Sequence, residues 1–262
     1  MLGYIIRIIP LVQFIGAFLT GISWYLLDKK WGRNKAYLIA AIGSFIVFVG
    51  FILSIVQGLI APKIEAPWKE LFANTTSPSL NATLSGPALA HYLEEVANQS
   101  GSLLNYLSPL LIAVGLFLES LGFKRLSIDT DQVMPKYLAM LFIALGFFNI
   151  LQLPAIWFTV SSLKHYAAVF AAKTTVTLKE VFTTFMSISA PLTIVGLLVF
   201  IMGLIIYIIT VYKFYKLGKV IEEEIILEEA KEIEETSKGE EEGEEVLKDI
   251  DVDVEEPGED TI

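Results

Sequence analysis

The ionisable side chain best placed for intramembrane chemistry is Glu119. It stands four residues after Gly115 and three before Gly122, so the three share one helix face. A carboxylate on such a face can bind a cation or relay a proton. The competing expectation puts Glu119 in the last turn of its apolar run, near the cytosolic boundary, paired with Lys124 or Arg125. Asn149 and Gln152, just ahead of Pro154, form a polar notch. Such a notch serves as a substrate or ion contact at a broken helix. It serves equally as interhelical hydrogen bonding, worth ~0.6 kcal/mol on average. Asp129-Thr130-Asp131 has the D-x-D form of a metal site and also suits a turn where carboxylates cap helices. Glu94-Glu95 is read in the same way.

The rest of the chemical scan is negative. Motifs of zinc peptidases, α/β-hydrolases, phosphate loops and dinucleotide folds are all missing. Zero cysteine excludes disulfides, thiolate nucleophiles and Cys-based metal sites. His91 and His165 are the only imidazoles, and both lie in links between apolar runs, which excludes haem held by paired histidines on facing helices. No catalytic, cofactor or metal-binding residue is assigned, and the chain is read as a non-enzyme.

The elements around these residues follow from hydropathy. The 262 residues are 54% hydrophobic and 18% charged, with a mean hydropathy of +0.62. Water-soluble domains carry ~25% charged residues. A helix needs about 20 mostly apolar residues to cross ~30 Å of hydrocarbon. Five stretches qualify, over 8–27, 36–60, 103–121, 137–160 and 192–212, with Arg7 at the entry of the first. The expected fold is all-α: a polytopic membrane protein with five transmembrane helices over 1–220, a small outer loop domain over 61–102, and an acidic tail over 221–262. The first run is too long for a signal-peptide core and lacks its cleavage site.

Charge sets the orientation. Of 19 Lys/Arg and 29 Asp/Glu, the tail holds 3 and 20, which leaves 16 and 9 for the body. Lys29, Lys30, Arg33 and Lys35 fill the first link. Lys124, Arg125 and Lys136 surround the third, and Lys213, Lys216 and Lys219 follow the last run. The positive-inside rule then makes that side cytoplasmic, with the N-terminus outside and the tail inside a cell membrane. Arg7, Lys164, Lys173 and Lys179 dissent. Three N-x-[ST] sequons, at Asn74, Asn81 and Asn98, all fall in the second link, where external glycosylation is possible. Trp24, Tyr25, Tyr37, Tyr137, Tyr212 and Tyr215 are expected at the inner interface, and Trp68 and Trp157 at the outer one. Few Cys, Gln and His beside an Ile/Glu/Lys-rich tail is a thermophile-like bias.

Small residues recur at helical spacing: Ala36, Ala40, Gly43, Gly50, Ser54 and Gly58 in the second run, and Ser108, Gly115 and Gly122 in the third. Ser189, Gly196, Gly203 and Thr210 do so in the fifth. They are expected to be packing faces for neighbouring helices, other membrane subunits or a second copy. Pro154 should kink the fourth run. The outer loop domain looks too small for a core of its own, with a short helix over 88–96, and 163–172 is amphipathic enough to lie in the headgroup plane. Thr177-Leu178-Lys179-Glu180 fits a capping box. Past Lys219 a helix with stacked glutamates is marginal, and from Thr236 the composition favours disorder. The tail suits a basic cytoplasmic protein and disfavours nucleic acid. The expectation is therefore a membrane scaffold or accessory subunit. The alternative is a small oligomeric transporter or channel using the notch at Asn149 and Gln152.

Overall fold

The computed structural model describes residues 2–9, 12–31, 35–67, 69 and 81–250. The chain is mostly helical. It runs α1 (Leu2–Arg7), α2 (Gln13–Trp31), α3 (Ala36–Ile60), β1 (Thr83–Ser85), α4 (Gly86–Ser100) and α5 (Leu103–Asp129). Then come α6 (Val133–Ile150), α7 (Gln152–Ala171), β2 (Thr175–Thr177) and α8 (Leu178–Ile250). Two compact units are present, Met1–Tyr212 and Lys213–Ile262.

Among the described residues, four helical stretches are long and apolar enough to cross a membrane: Ala36–Ile60, Gly86–Asp129, Val133–Ala171 and Leu178–Lys216. The predicted first run, 8–27, is not one continuous helix. α1 ends at Arg7 and α2 begins at Gln13, and Val12 N–H bonds Ile9 O at 3.1 Å. Pro10 supplies no N–H to continue a helix there. α1 instead folds back on α2. A Cβ on Gly16 would lie 2.6 Å from the Arg7 nitrogen, so only glycine permits the crossing. α2 carries Asp28, Lys29 and Lys30 just before its last residue, Trp31. Its apolar part, 13–27, spans about 22 Å at ~1.5 Å per residue, short of a full hydrocarbon core.

α3 and α5 form the tightest seam, antiparallel along their whole length, and here the small-residue spacing finds its match. A Cβ on Gly43 would come 2.6 Å from Gly115 O and 2.9 Å from Glu119 N, and one on Gly50 would reach 3.1 Å from Ser108 O. Ser108 Oγ donates to Gly50 O at 2.8 Å, and Ser54 and Ser108 hydroxyls bond at 2.6 Å. Tyr37 OH closes the far end on Asp129 Oδ2 at 2.6 Å. The fifth run behaves differently. Gly203 meets only Leu145 and Tyr207 at 3.9 Å, and Gly196 has no atom within 4 Å of a Cβ position, as is also true of Gly58. Thr210 is buried.

The fourth run divides into α6 and α7 at Leu151, three residues before Pro154. A proline ring clashes with the carbonyl one turn earlier and offers it no donor. α5 extends to Asp129, eight residues past the expected end of the third run.

α7 continues to Ala171 rather than turning along a membrane surface. It packs on α4 together with an antiparallel β1–β2 pair in which Leu84 faces Val176. The second link, which looks coreless by itself, shares a core with the fourth, because the two build it jointly. Leu89, Leu93, Ala97, Leu163, Phe170 and Val176 are its buried centre. Burying such side chains contributes ~1.5–3 kcal/mol each, which neither link could collect alone. Ser85 caps α4 by accepting from Ala88 N–H, and Thr177 caps α8 by accepting from Glu180 N–H at 3.3 Å. Lys173 pairs with Glu180 across the turn.

Among the interface aromatics, Tyr25, Tyr137, Tyr212, Tyr215 and Trp157 are exposed. Trp24 and Tyr37 are buried and stacked on each other, 5.9 Å between ring centres. Trp68 lies outside the described residues. The backbone of α8 is helical to Ile250, including 236–250, where the composition favours disorder. Glu234/Lys238 and Glu244/Lys248 stand at the i,i+4 spacing that supports a helix there. Residues 251–262 lie outside the described residues.

Candidate functional site: a sealed ion pair above a polar cavity

Glu119 is fully buried and pairs with Arg7, not with Lys124 or Arg125. The two Arg7 terminal nitrogens donate to Oε2 at 2.9 Å and Oε1 at 2.6 Å, a bidentate fork. Arg125 instead pairs with Asp129 on its own helix. Two facts explain the departure. At ~100° per residue, Lys124 and Arg125 stand roughly 140° and 120° around α5 from Glu119, so neither shares the carboxylate's face. And the α1–α2 turn carries Arg7, expected outside, back into the bundle.

The surroundings complete the carboxylate's hydrogen bonding. Ser44 Oγ on α3 donates to Oε1 at 2.8 Å. Tyr4 OH reaches Oε2 at 3.4 Å and itself accepts from Trp24 Nε1 at 3.1 Å. The Arg7 guanidinium lies 5.2 Å from the Tyr4 ring centre and 5.8 Å from that of Tyr207 on α8. One ion pair thus joins α1, α2, α3, α5 and α8. A lone charge at this depth would cost several kcal/mol, and four donors converging on one carboxylate offset that cost. Sequence reasoning missed Arg7, Tyr4, Ser44 and Tyr207. A signal existed, since Arg7 and Glu119 are isolated charges of opposite sign embedded in apolar sequence.

Beneath Arg7, toward the α4 side of the bundle, lies a cavity of about 370 Å³. Asn149 and Gln152 are on its wall with Arg7, so the structure brings the predicted notch beside the ion pair. Within the notch, Asn149 Nδ2 donates to Leu145 O at 2.9 Å, and Gln152 Nε2 donates to Asn149 Oδ1 at 3.2 Å. Much of the notch's hydrogen bonding is therefore met within the α6–α7 corner. Phe14, Leu116, Leu145 and Phe200 make the remaining wall largely apolar.

The other candidates are scattered. Asp129 accepts from Tyr37 and Arg125, while Asp131 takes the left-handed turn conformation at φ 49°, so the two do not act as a metal pair. Nor do they cap α6, whose N-cap is Gln132. Among the described residues no three His, Asp or Glu groups gather as a metal site. His91 lies 3.4 Å from Glu95 on the exposed face of α4, beside Glu94, and His165 is exposed on α7. Asn81 and Asn98 are exposed, and Asn74 lies outside the described residues. Asn98 borders a second cavity of about 440 Å³, shared with Glu65 and Glu95. There the Lys69 ammonium, 2.8 Å away, holds the Glu65 carboxyl below its usual range.

Comparison with protein-family models, with curated proteins and with solved structures finds no match to this chain, so its sealed ion pair and cavity must be interpreted on their own chemistry.

Proposed function

We propose that this chain is a five-pass cell-membrane protein acting as a non-enzymatic scaffold or accessory subunit, with the tail 221–262 as its contact for a basic cytoplasmic partner. α2 is the fifth crossing, its short apolar length met by local thinning of the bilayer and by Lys29 and Lys30 reaching out to the headgroups. It lies along α3 with Phe14 against Phe48 and Phe18 against Phe45, ring centres 6.4 and 5.7 Å apart. The basic ends of α2, α5 and the apolar part of α8 then face the cytoplasm, and the α4–β1–β2 domain lies outside. The observation that carries the reading is the saturation of Glu119. The buried carboxylate best placed for ion or proton work is taken up by Arg7, Ser44 and Tyr4. The chain's densest charge is then the tail, with 20 acidic against 3 basic residues. Such density attracts a basic partner by long-range steering. Affinity isolation from membranes with the full chain and with 221–262 deleted tests this. The full chain should retain a basic partner that the deletion loses, and identical partner sets would overturn the tail's role.

The cavity favours a second reading, a small oligomeric transporter working through Asn149 and Gln152. In proteoliposomes, solute flux should then fall at least tenfold in Asn149→Ala/Gln152→Ala. Unchanged flux would remove the notch from any transport path.

A further inference from the structure

Among the described residues, Arg7 Nε is the one buried side-chain nitrogen or oxygen without a hydrogen-bond partner. A buried unmet donor costs ~1–3 kcal/mol, and more when the group is charged. Arg7 also forms part of the cavity wall. The same guanidinium has both terminal nitrogens committed to Glu119 and lies beside the Tyr207 hydroxyl, which also borders the cavity. Its charge is therefore already balanced, and an anionic ligand entering here would meet the Glu119 carboxylate behind Arg7. The free N–H calls for a neutral acceptor oxygen. Gln13, Ser54, Asn149, Gln152 and Tyr207 add polar points, and the remaining wall of Phe, Leu, Ile and Val side chains calls for an apolar body; about 370 Å³ falls in the range of small-molecule sites.

The cavity exists because α8 lacks side chains where it passes. Gly196 and Gly203 both border it; a Cβ on Gly196 would touch nothing within 4 Å, and Gly203 has only loose neighbours. On either side of Gly196, Ile194, Leu197 and Leu198 are exposed. α8 thus borders the cavity on one side and presents exposed apolar side chains on the other, which suits entry of a membrane-dissolved molecule.

We propose that this cavity binds an uncharged amphiphile, an apolar chain or ring bearing a carbonyl oxygen that accepts from Arg7 Nε–H. Two sources share that chemistry: the ester carbonyl of a lipid and the ring carbonyl of a quinone. This site is independent of the tail, and its failure would leave the scaffold reading standing.

The test uses the full chain, purified in mild detergent, stripped of lipid and examined by native mass spectrometry. Four probes are added: methyl palmitate, a decyl-substituted benzoquinone, hexadecane and palmitate. At least one carbonyl probe should bind one to one and at least tenfold tighter than hexadecane or palmitate. Whichever of the two binds more tightly identifies the source. Gly196→Phe, which projects a ring into the cavity, should weaken that binding at least tenfold with helicity unchanged. Gly203→Leu gives the same readout if the first variant fails to fold. The proposal is overturned if hexadecane or palmitate binds as tightly as the carbonyl probes. It is equally overturned if no probe is retained, or if the filled cavity still binds its probe.

Discussion

Glu119→Leu, with Arg7 left in place, should lower the stability of the bundle by ~3–5 kcal/mol, because it strands a guanidinium that is fully buried. Arg7→Leu should cost a similar amount for the mirror-image reason. The double variant is the decisive member of the set. Replacing a buried ion pair by apolar residues of similar volume is often neutral or stabilising, since the desolvation penalty of both charges disappears together. Arg7→Leu/Glu119→Leu should therefore recover most of the loss, giving a coupling of several kcal/mol between positions 112 apart in sequence. Unfolding in mixed detergent micelles, followed by far-ultraviolet circular dichroism, measures all four proteins. If either single variant is as stable as the parent, the pair is not what pins α1 inside the bundle. If the double variant is as unstable as the two losses added, Arg7 and Glu119 act separately.

Gly115→Val should cost about 3 kcal/mol, through a different cause. Its Cβ would lie 2.9 Å from the Val47 nitrogen and overlap Gly43 O, both backbone atoms that no rotamer change can move aside. α3 and α5 would have to separate, and the bonds from Ser44 to Glu119 and from Ser108 to Gly50 O would stretch with them. Gly196→Val is the matched control. It introduces the same side chain into a helix of the same apolar character where nothing lies within 4 Å, so its effect should stay within ~0.5 kcal/mol. The same unfolding measurement compares the two. Equal losses would mean that glycine frequency in these helices carries no packing information, and that the α3–α5 seam is not the bundle's close contact.

The contrast between these glycines marks the reach of sequence spacing. Gly43 and Gly115 sit in repeats that mark a packing face, but so does Gly196, and spacing alone does not separate a glycine pressed against a backbone from one beside a cavity. The difference is the presence of a neighbour at close range, which is not a local property. The polar notch follows the same logic. Asn149, Gln152 and Pro154 are adjacent in sequence, so the corner between α6 and α7 is legible from proline chemistry, whereas its position beside Arg7 is not. The outer loop domain looks coreless in sequence because its core residues come from two links, 84–97 and 163–188, and each by itself has too little apolar surface.

What the chain determines alone is the solvent each segment prefers, because hydrophobic transfer is summed over consecutive residues and needs no knowledge of partners. Helical content, the long apolar runs and the separation of a basic body from an acidic tail all follow from such sums. What only the tertiary structure decided is which opposite charges meet. At the depth of Glu119 the low dielectric makes any unpaired charge expensive, so α1 folds back on α2 to bring Arg7 in, a choice between non-local partners that no window of sequence contains.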